Sequence, residues 1–288
     1  MMVAMATVGL LVHRAHRDAA GLARDAGAWL LERGHEIRLP EADAEITGLD
    51  EHACPPETFT KGLDLAVSLG GDGTMLRTVD LVADDDVPVL GVNLGRLGYL
   101  TEVEPASLQD ALEGFFEGRH TIECRMRMAV DVTSSGIDSG VRPALNEAVL
   151  GKTPTGQMVR VVVTIDDEPF TTYAADGVIV ATPTGSTAYA WSAGGPLVDP
   201  SHEALLLTPV AAHMLFDRSL VLPPASSIRL EVVDGRPADL SVDGRSLGTL
   251  AEGDTIVCTA APNPARLVTF GGRSFLGILK AKFGLAER

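Results

Sequence analysis

Lysine is scarce in this chain of 288 residues: Lys61, Lys152, Lys280 and Lys282 are all there is, and arginine carries the rest of the positive charge. Acidic residues number 39 against 23 basic ones, a net charge of −16 with a pI near 4.7. Sequence-independent binding of nucleic acid needs a basic patch, and anionic membranes draw polybasic segments, so this balance speaks against both. Plain solubility would explain the acidity. The shortage of lysine favours a second explanation, adaptation to a salty cytoplasm in which self-repulsion is screened. Cysteine is nearly absent as well. Cys54, Cys124 and Cys258 are odd in number and far apart, with no C-x-x-C pair, which excludes a disulfide framework and a cysteine zinc site and fits a reduced cytoplasm. No apolar run approaches the ~20 residues of a membrane span. In the opening segment the basic residues follow the apolar run, the reverse of a signal peptide. Repeats and low-complexity linkers are also missing.

What is present has two rhythms. Over the first hundred residues strands and helices alternate: strands at 7–12, 35–40, 63–70 and 87–95, helices at 18–33 and from 72 to 83. In the helix at 18–33, Ala19, Leu22, Ala23, Ala26, Trp29 and Leu30 share one face, with Asp18 as N-cap and Gly34 as stop. Such alternation predicts a parallel sheet with helices on its faces. From 121 the pattern changes to short β-rich segments separated by turn residues, as in "MVRVVVTIDD" and "SIRLEVVDG". These predict a mostly antiparallel β-sandwich or barrel, interrupted by one helix near 184–193. The tail reads as a strand and then an amphipathic helix bearing Phe275, Leu276, Leu279 and Phe283, able to pack back onto the first domain. The expected organisation is an α/β domain at 1–120, joined by the tail at 266–288, and a β domain at 121–265.

Two segments stand out. In "SLGGDGTML", Gly70, Gly71 and Gly73 lie between a buried strand and a helix. Glycine permits positive φ and close approach to the main chain, and the helix start offers free N–H groups and partial positive charge. Together they suit a phosphate. The loop lacks the lysine of a P-loop and the spacing of a dinucleotide fingerprint. A carboxylate beside a phosphate is repulsive unless it has a role, and Asp72 has two available: holding Mg²⁺ or accepting a proton from an attacking hydroxyl. The alternative is a helix cap. In "AADGVIVATPTGSTAYAWSAGGPLV", a strand ends in hydroxyls at a second helix start, Thr184, Ser186 and Thr187. Tyr189 there stacks on a ring or packs between domains. Asp176 precedes the strand. Asn146 and Glu147 form a polar pair in the apolar strand "LNEAVLGK". Adjacent strand residues face opposite sides, so one of them faces inward and needs a partner.

These segments, in this order, resemble the NAD kinase family over most of the chain. The matching pieces are "GGDGTML", "GVNLGRLGYLTEV" (91–103), "LNEAVL", the stretch 176–198, "LTPVAAHMLFDRSLVLP" (207–223) and "SVDGR" (241–245). The Gly-Gly-Asp-Gly-Thr motif alone is shared with lipid kinases and 6-phosphofructokinases; the stretch 176–198 is far more diagnostic. The departures are small: no cysteine-proline pair precedes His213, and Tyr99 stands where phenylalanine is common.

The resemblance implies a phosphoryl transfer from ATP or polyphosphate to the 2′-hydroxyl of the adenosine ribose of NAD, with Mg²⁺ or another divalent metal carried by the donor phosphates. It implies a ligand between an N-terminal α/β domain and a C-terminal β domain, and a dimer or tetramer in the cytoplasm. Carried over by residue, Asp72 takes the 2′-hydroxyl proton. Gly71, Gly73 and Thr74 shape the phosphate site, with Arg77 near it. Tyr99 packs by the adenine. Asn146 and Glu147 bind the ribose hydroxyls and the nicotinamide half, and Asp176 contacts bound NAD. Thr187, Ala188, Tyr189 and Ser192 line the dinucleotide groove. His213 falls in a matching segment, although a lone histidine among apolar residues is commonly a packed one. With so little lysine, Arg77, Arg96, Arg125 and Arg127 are the cations left for a long polyphosphate donor. The competing readings are a non-catalytic NAD(P)-binding sensor and a lipid or sugar kinase using the same glycine-aspartate motif.

Overall fold

Six consecutive residues, Leu65–Gly70, are buried along their whole length, and so are Thr7–Val12 and Val89–Asn93. A strand covered on both faces shows an unbroken apolar run rather than alternation. In the computed structural model, which describes residues 5–154, 157–272 and 274–285, these strands form the centre of a seven-stranded sheet. Its order is Ala53–Cys54, Glu36–Pro40, Thr7–Val12, Leu65–Gly70, Val89–Asn93, Ala265–Thr269, Thr121–Arg125. The pairings along it from Ala53–Cys54 to Ala265–Thr269 are parallel, as the strand–helix alternation predicts.

The chain divides into two compact units, Met1–Cys124 with Ala265–Arg288, and Arg125–Pro264. In the first, the helix Arg17–Glu32 sets Ala19, Ala23, Ala26, Trp29 and Leu30 into a core shared with Leu10, Leu65, Val67, Leu69 and Leu90. Its N-cap is His16 rather than Asp18, because the His16 ring accepts the Asp18 N–H. Each buried leucine or valine among them contributes roughly 1.5–3 kcal/mol by leaving water. The tail enters this unit as the sheet strand Ala265–Thr269, followed by the helix Phe275–Phe283. Glu102 anchors the passage between them by accepting the N–H groups of Phe270 and Gly272. The helix buries no side chain completely; Leu276 and Phe283 are exposed.

The second unit holds two six-stranded antiparallel sheets. One runs Glu168–Ala175, Val159–Ile165, Ile228–Val232, Thr255–Ala260, Met128–Thr133, Gly140–Ala144. The other runs Leu220–Leu222, Leu205–Val210, Gly177–Ala181, Glu147–Lys152, Ala238–Val242, Arg245–Leu250. Alternate residues of both, among them Val130, Val161, Leu230, Ile256, Leu150, Val180 and Leu240, meet in one core, which is the sandwich arrangement. The helix expected at 184–193 is a 3₁₀ turn, Thr184–Thr187, and a single helical turn, Tyr189–Ser192. Among the described residues, no helix is long and apolar enough to cross a membrane.

Candidate active site

In the first unit the sheet order fixes where a ligand can sit. The chain leaves Thr7–Val12 toward one edge and Leu65–Gly70 toward the other, so the two adjacent strand ends open a crevice at the point of reversal. Crevices of this kind, at the carboxyl ends of parallel strands, are where open α/β sheets bind ligands. The glycine loop lies there and leads into the helix Asp72–Val82.

Left-handed backbone is not what the loop needs its glycines for: none of Gly70, Gly71 and Gly73 has positive φ. Gly71 is extended, at φ −111° and ψ −165°. A Cβ on Gly70 would run into the side chain of Thr74 and reach 3.1 Å from His13 Cβ. Beside Gly71 and Gly73 there is open space. The loop is bare where something can approach the main chain at a helix N-terminus, so close approach is the reason that holds.

Asp72 does not cap its helix; no side chain caps the Gly71 position. Its carboxylate reaches instead across to the following loop, accepting the N–H of Tyr99 on Oδ2 at 2.9 Å and of Leu100 on Oδ1 at 3.0 Å. Gly98 lies directly against it, with no room for a Cβ beside Asp72 Oδ1. The carboxylate is therefore fixed in place by two backbone donors and a glycine. The Tyr99 hydroxyl is held above its ordinary pKa, first by burial and then by the charge of Asp72. Lys282 of the tail helix sits 4.1 Å over the Tyr99 ring.

Arg77 is engaged. Its guanidinium donates to both oxygens of Asp43, at 3.0 and 2.9 Å, and to the Val12 carbonyl at 2.7 Å. Asp43 is wholly buried and also accepts from Arg14 Nε at 3.2 Å. Of the other arginines expected to serve the donor, Arg96 is exposed, whereas Arg125 and Arg127 are buried and offer no surface cation.

In the second unit Glu147 opens its strand and is buried, while Asn146 before it is half-buried. This is the inward-facing partner that strand alternation requires. Glu147 accepts the Tyr189 N–H, and its Oε2 is buried with no hydrogen-bond partner. Burial, and then the negative charge of Asp243, push its carboxyl up to about 7. Gly185 packs so tightly on the Asn146 main chain that a side chain there would overlap it. The hydroxyls at 184–187 were expected to face a ligand. Ser186 is buried and spends its hydroxyl on the Val198 main chain, at 3.0 and 3.1 Å, and Thr187 donates to the Thr184 carbonyl. Thr187 thus pairs a main-chain carbonyl of the turn itself, and Ser186 pins the turn to the later segment at Val198. Thr184 Oγ1 is buried without a partner.

Around this turn Ala188 is half-buried, and Tyr189 and Ser192 are exposed. Asp176 forms an ion pair with Lys152 at 2.8 Å. His213 is exposed rather than packed among its apolar neighbours, and its N–H donates to the Ala174 carbonyl. Sequence reasoning missed Asp43, and it gave no individual role to Gly98 or Asp243, although both lie in segments quoted for the resemblance, "GVNLGRLGYLTEV" and "SVDGR". Only Asp243 carried a local signal, the Asp-Gly pair of a tight hairpin turn.

Comparisons with known proteins place the chain in one family. Residues 8–120 match the model of the ATP-NAD kinase N-terminal domain, and residues 145–270 that of the ATP-NAD kinase C-terminal domain. The NAD kinase of Heliobacterium modesticaldum is 41% identical over 283 residues, covering 96% of this chain and 98% of the relative. That of Syntrophotalea carbinolica is 35% identical over 285 residues, covering 99% and 100%. Among solved structures, yeast NADH kinase complexed with NADH superposes with a TM-score of 0.90 at 26% identity, over 99% of this chain and 89% of that one. An NAD kinase from Archaeoglobus fulgidus in complex with ATP gives 0.71 at 26% identity, over 97% of each.

Proposed function

This chain belongs to the NAD kinase family, and from that premise we infer which of its residues carry the reaction. It is an NAD kinase, a phosphotransferase that converts NAD to NADP. Neither a non-catalytic sensor nor a lipid or sugar kinase finds support among its relatives.

We propose that ATP is the donor and that Asp72 is the proton acceptor. The 2′-oxygen of the adenosine ribose attacks the terminal phosphorus. The bond from that phosphorus to the ADP oxygen breaks, and the hydroxyl proton passes to Asp72. The observation that carries this reading is the fixed carboxylate: two N–H groups from Tyr99 and Leu100 hold Asp72 at the edge of a bare glycine loop. A general base contributes ~10²–10⁴-fold; orienting the hydroxyl and donor supplies much of the rest. Gly71, Gly73 and Thr74 receive the phosphates at the helix start. Arg77 serves that site from its place on Asp43. Among the described residues no group of three or more His, Cys, Asp and Glu side chains is placed to hold a metal. We assign Mg²⁺ to the donor, arriving as its complex with ATP.

For NAD, we assign Asn146 and Glu147 to the ribose hydroxyls and the nicotinamide half, and Tyr99 to the adenine. Asp176, Thr187, Ala188, Tyr189, Ser192 and His213 are assigned to the rest of the dinucleotide. The buried, unpartnered Glu147 Oε2 supports its assignment, since a buried acceptor calls for a donor such as a hydroxyl. A homodimer or homotetramer in the cytoplasm completes the proposal.

The test is a coupled assay on the purified protein. NAD is supplied with the Mg²⁺ complex of ATP or with polyphosphate, and NADP is followed with an NADP-specific dehydrogenase. NADP formed from ATP is the expected result. NADP from polyphosphate alone would overturn the donor assignment, and none from either donor, with NAD bound, would overturn the reaction.

A further inference from the structure

We propose that Asp243 is a positioning residue for the NAD-binding pair: its carboxylate clamps the main chain of Leu145–Glu147 and so aims Asn146 and Glu147. This rests on the reading of that pair as NAD ligands.

Asp243 and Gly244 form the two-residue turn between the strands Ala238–Val242 and Arg245–Leu250, with φ of 47° and 74°. Both residues are left-handed, as the tight hairpin turn demands. An aspartate in such a turn commonly bonds its own backbone or points to water. The Asp243 carboxylate reaches across to a neighbouring segment. Its Oδ2 accepts the N–H of Leu145 at 2.7 Å, and its Oδ1 accepts those of Asn146 at 2.7 Å and Glu147 at 3.0 Å. Its own N–H donates to the Glu147 carbonyl at 2.9 Å.

The reason lies in where the ladder ends. The strand Glu147–Lys152 pairs with Ala238–Val242 only as far as Ala148 opposite Val242. The three preceding N–H groups lie beyond that ladder, and a single carboxylate collects them. Convergent N–H groups on an anion form short, charge-assisted bonds. On the opposite side, the Thr182 N–H donates to the Asn146 carbonyl at 2.9 Å and its hydroxyl to the Leu145 carbonyl at 2.5 Å. The segment is therefore gripped from both sides, with the Asn146 and Glu147 side chains left to face a ligand. Burial first, and then the Asp243 charge, raise the Glu147 pKa, while the Tyr189 N–H lowers it.

The experiment uses the full-length protein with Asp243→Asn and Asp243→Gly, since asparagine and glycine both tolerate left-handed backbone. KM for NAD should rise about tenfold or more, as expected for the loss of charge-assisted bonds, with KM for ATP unchanged. The pH midpoint of the NAD dependence should move to lower pH, because the charge that helps hold Glu147 up is gone; a purely structural role would not move it. Asn146→Ala is measured in parallel. If Asn146→Ala weakens NAD while folded Asp243 variants do not, the positioning role is wrong and the assignment of the pair survives. If Asn146→Ala leaves KM for NAD unchanged, the assignment itself falls and the positioning role with it. Failure of both Asp243 variants to fold would also overturn the proposal, making Asp243 a folding residue.

Discussion

Leu100 donates its main-chain N–H to Asp72 Oδ1 at 3.0 Å from 28 positions further along the chain. With the Tyr99 N–H on the other oxygen, it removes the freedom that an aspartate on an exposed loop would keep. A carboxylate held this way loses little entropy when a substrate arrives.

Gly98→Ala tests that arrangement without touching Asp72. The new Cβ would overlap Asp72 Oδ1 and come within 2.9 Å of Thr101 Oγ1. Displacing a reacting group by about 1 Å costs ~10²-fold, so kcat should fall by about that much. Gly98 has ordinary negative φ, so backbone strain does not confound the result. Gly95→Ala, in the same loop with open space around it, should leave kcat unchanged.

Asp43, wholly buried in the first unit, joins two part-exposed arginines. Removing Asp43 breaks the charge-assisted hydrogen bonds it accepts from Arg77 and Arg14, at a cost of about 1.5–3 kcal/mol. Asp43→Ala should lower the urea midpoint accordingly. Arg14 is half-exposed in the same cluster, and Arg14→Ala should cost under ~1 kcal/mol. Equal losses from the two substitutions would contradict this ranking.

Glu147 makes stability depend on pH. Its carboxyl is raised from 4.5 to about 7 in the folded chain. The stability associated with its neutral form is full below pH 4.5 and is lost as pH rises through about 7. The loss amounts to about 3 kcal/mol. Glu147→Gln should abolish this slope, so the variant gains on the parent protein between pH 5 and 8. Urea denaturation at both pH values reads the difference directly.

Much of this was legible in the sequence because it is local. Unbroken apolar runs at 65–70 and 89–93 report burial on both faces, and alternation within "LNEAVLGK" placed one of its polar pair inward. The crowding of glycine around Asp72 marked a bare loop at a helix start, open to close approach rather than built for turning. What stayed hidden depends on partners distant in sequence. Nothing near Asp43 announces that Arg77 will reach it from 34 positions away, and nothing near Gly98 announces the Asp72 carboxylate beside it. The hydroxyls of Ser186 and Thr187 looked ready for a ligand, yet the first bonds the Val198 main chain and the second the Thr184 carbonyl. Arg125 and Arg127 look like free cations in a lysine-poor chain, but burial removes them from the surface.

The most direct measurement compares Asp72→Asn with the parent protein, following NADP formation and, separately, NAD binding by calorimetry. Asparagine preserves the shape and one accepting oxygen but cannot take the proton. The account predicts that kcat falls by ~10²–10⁴-fold while NAD still binds. Turnover at the parent rate in a folded Asp72→Asn protein would contradict the assignment of Asp72 as the base.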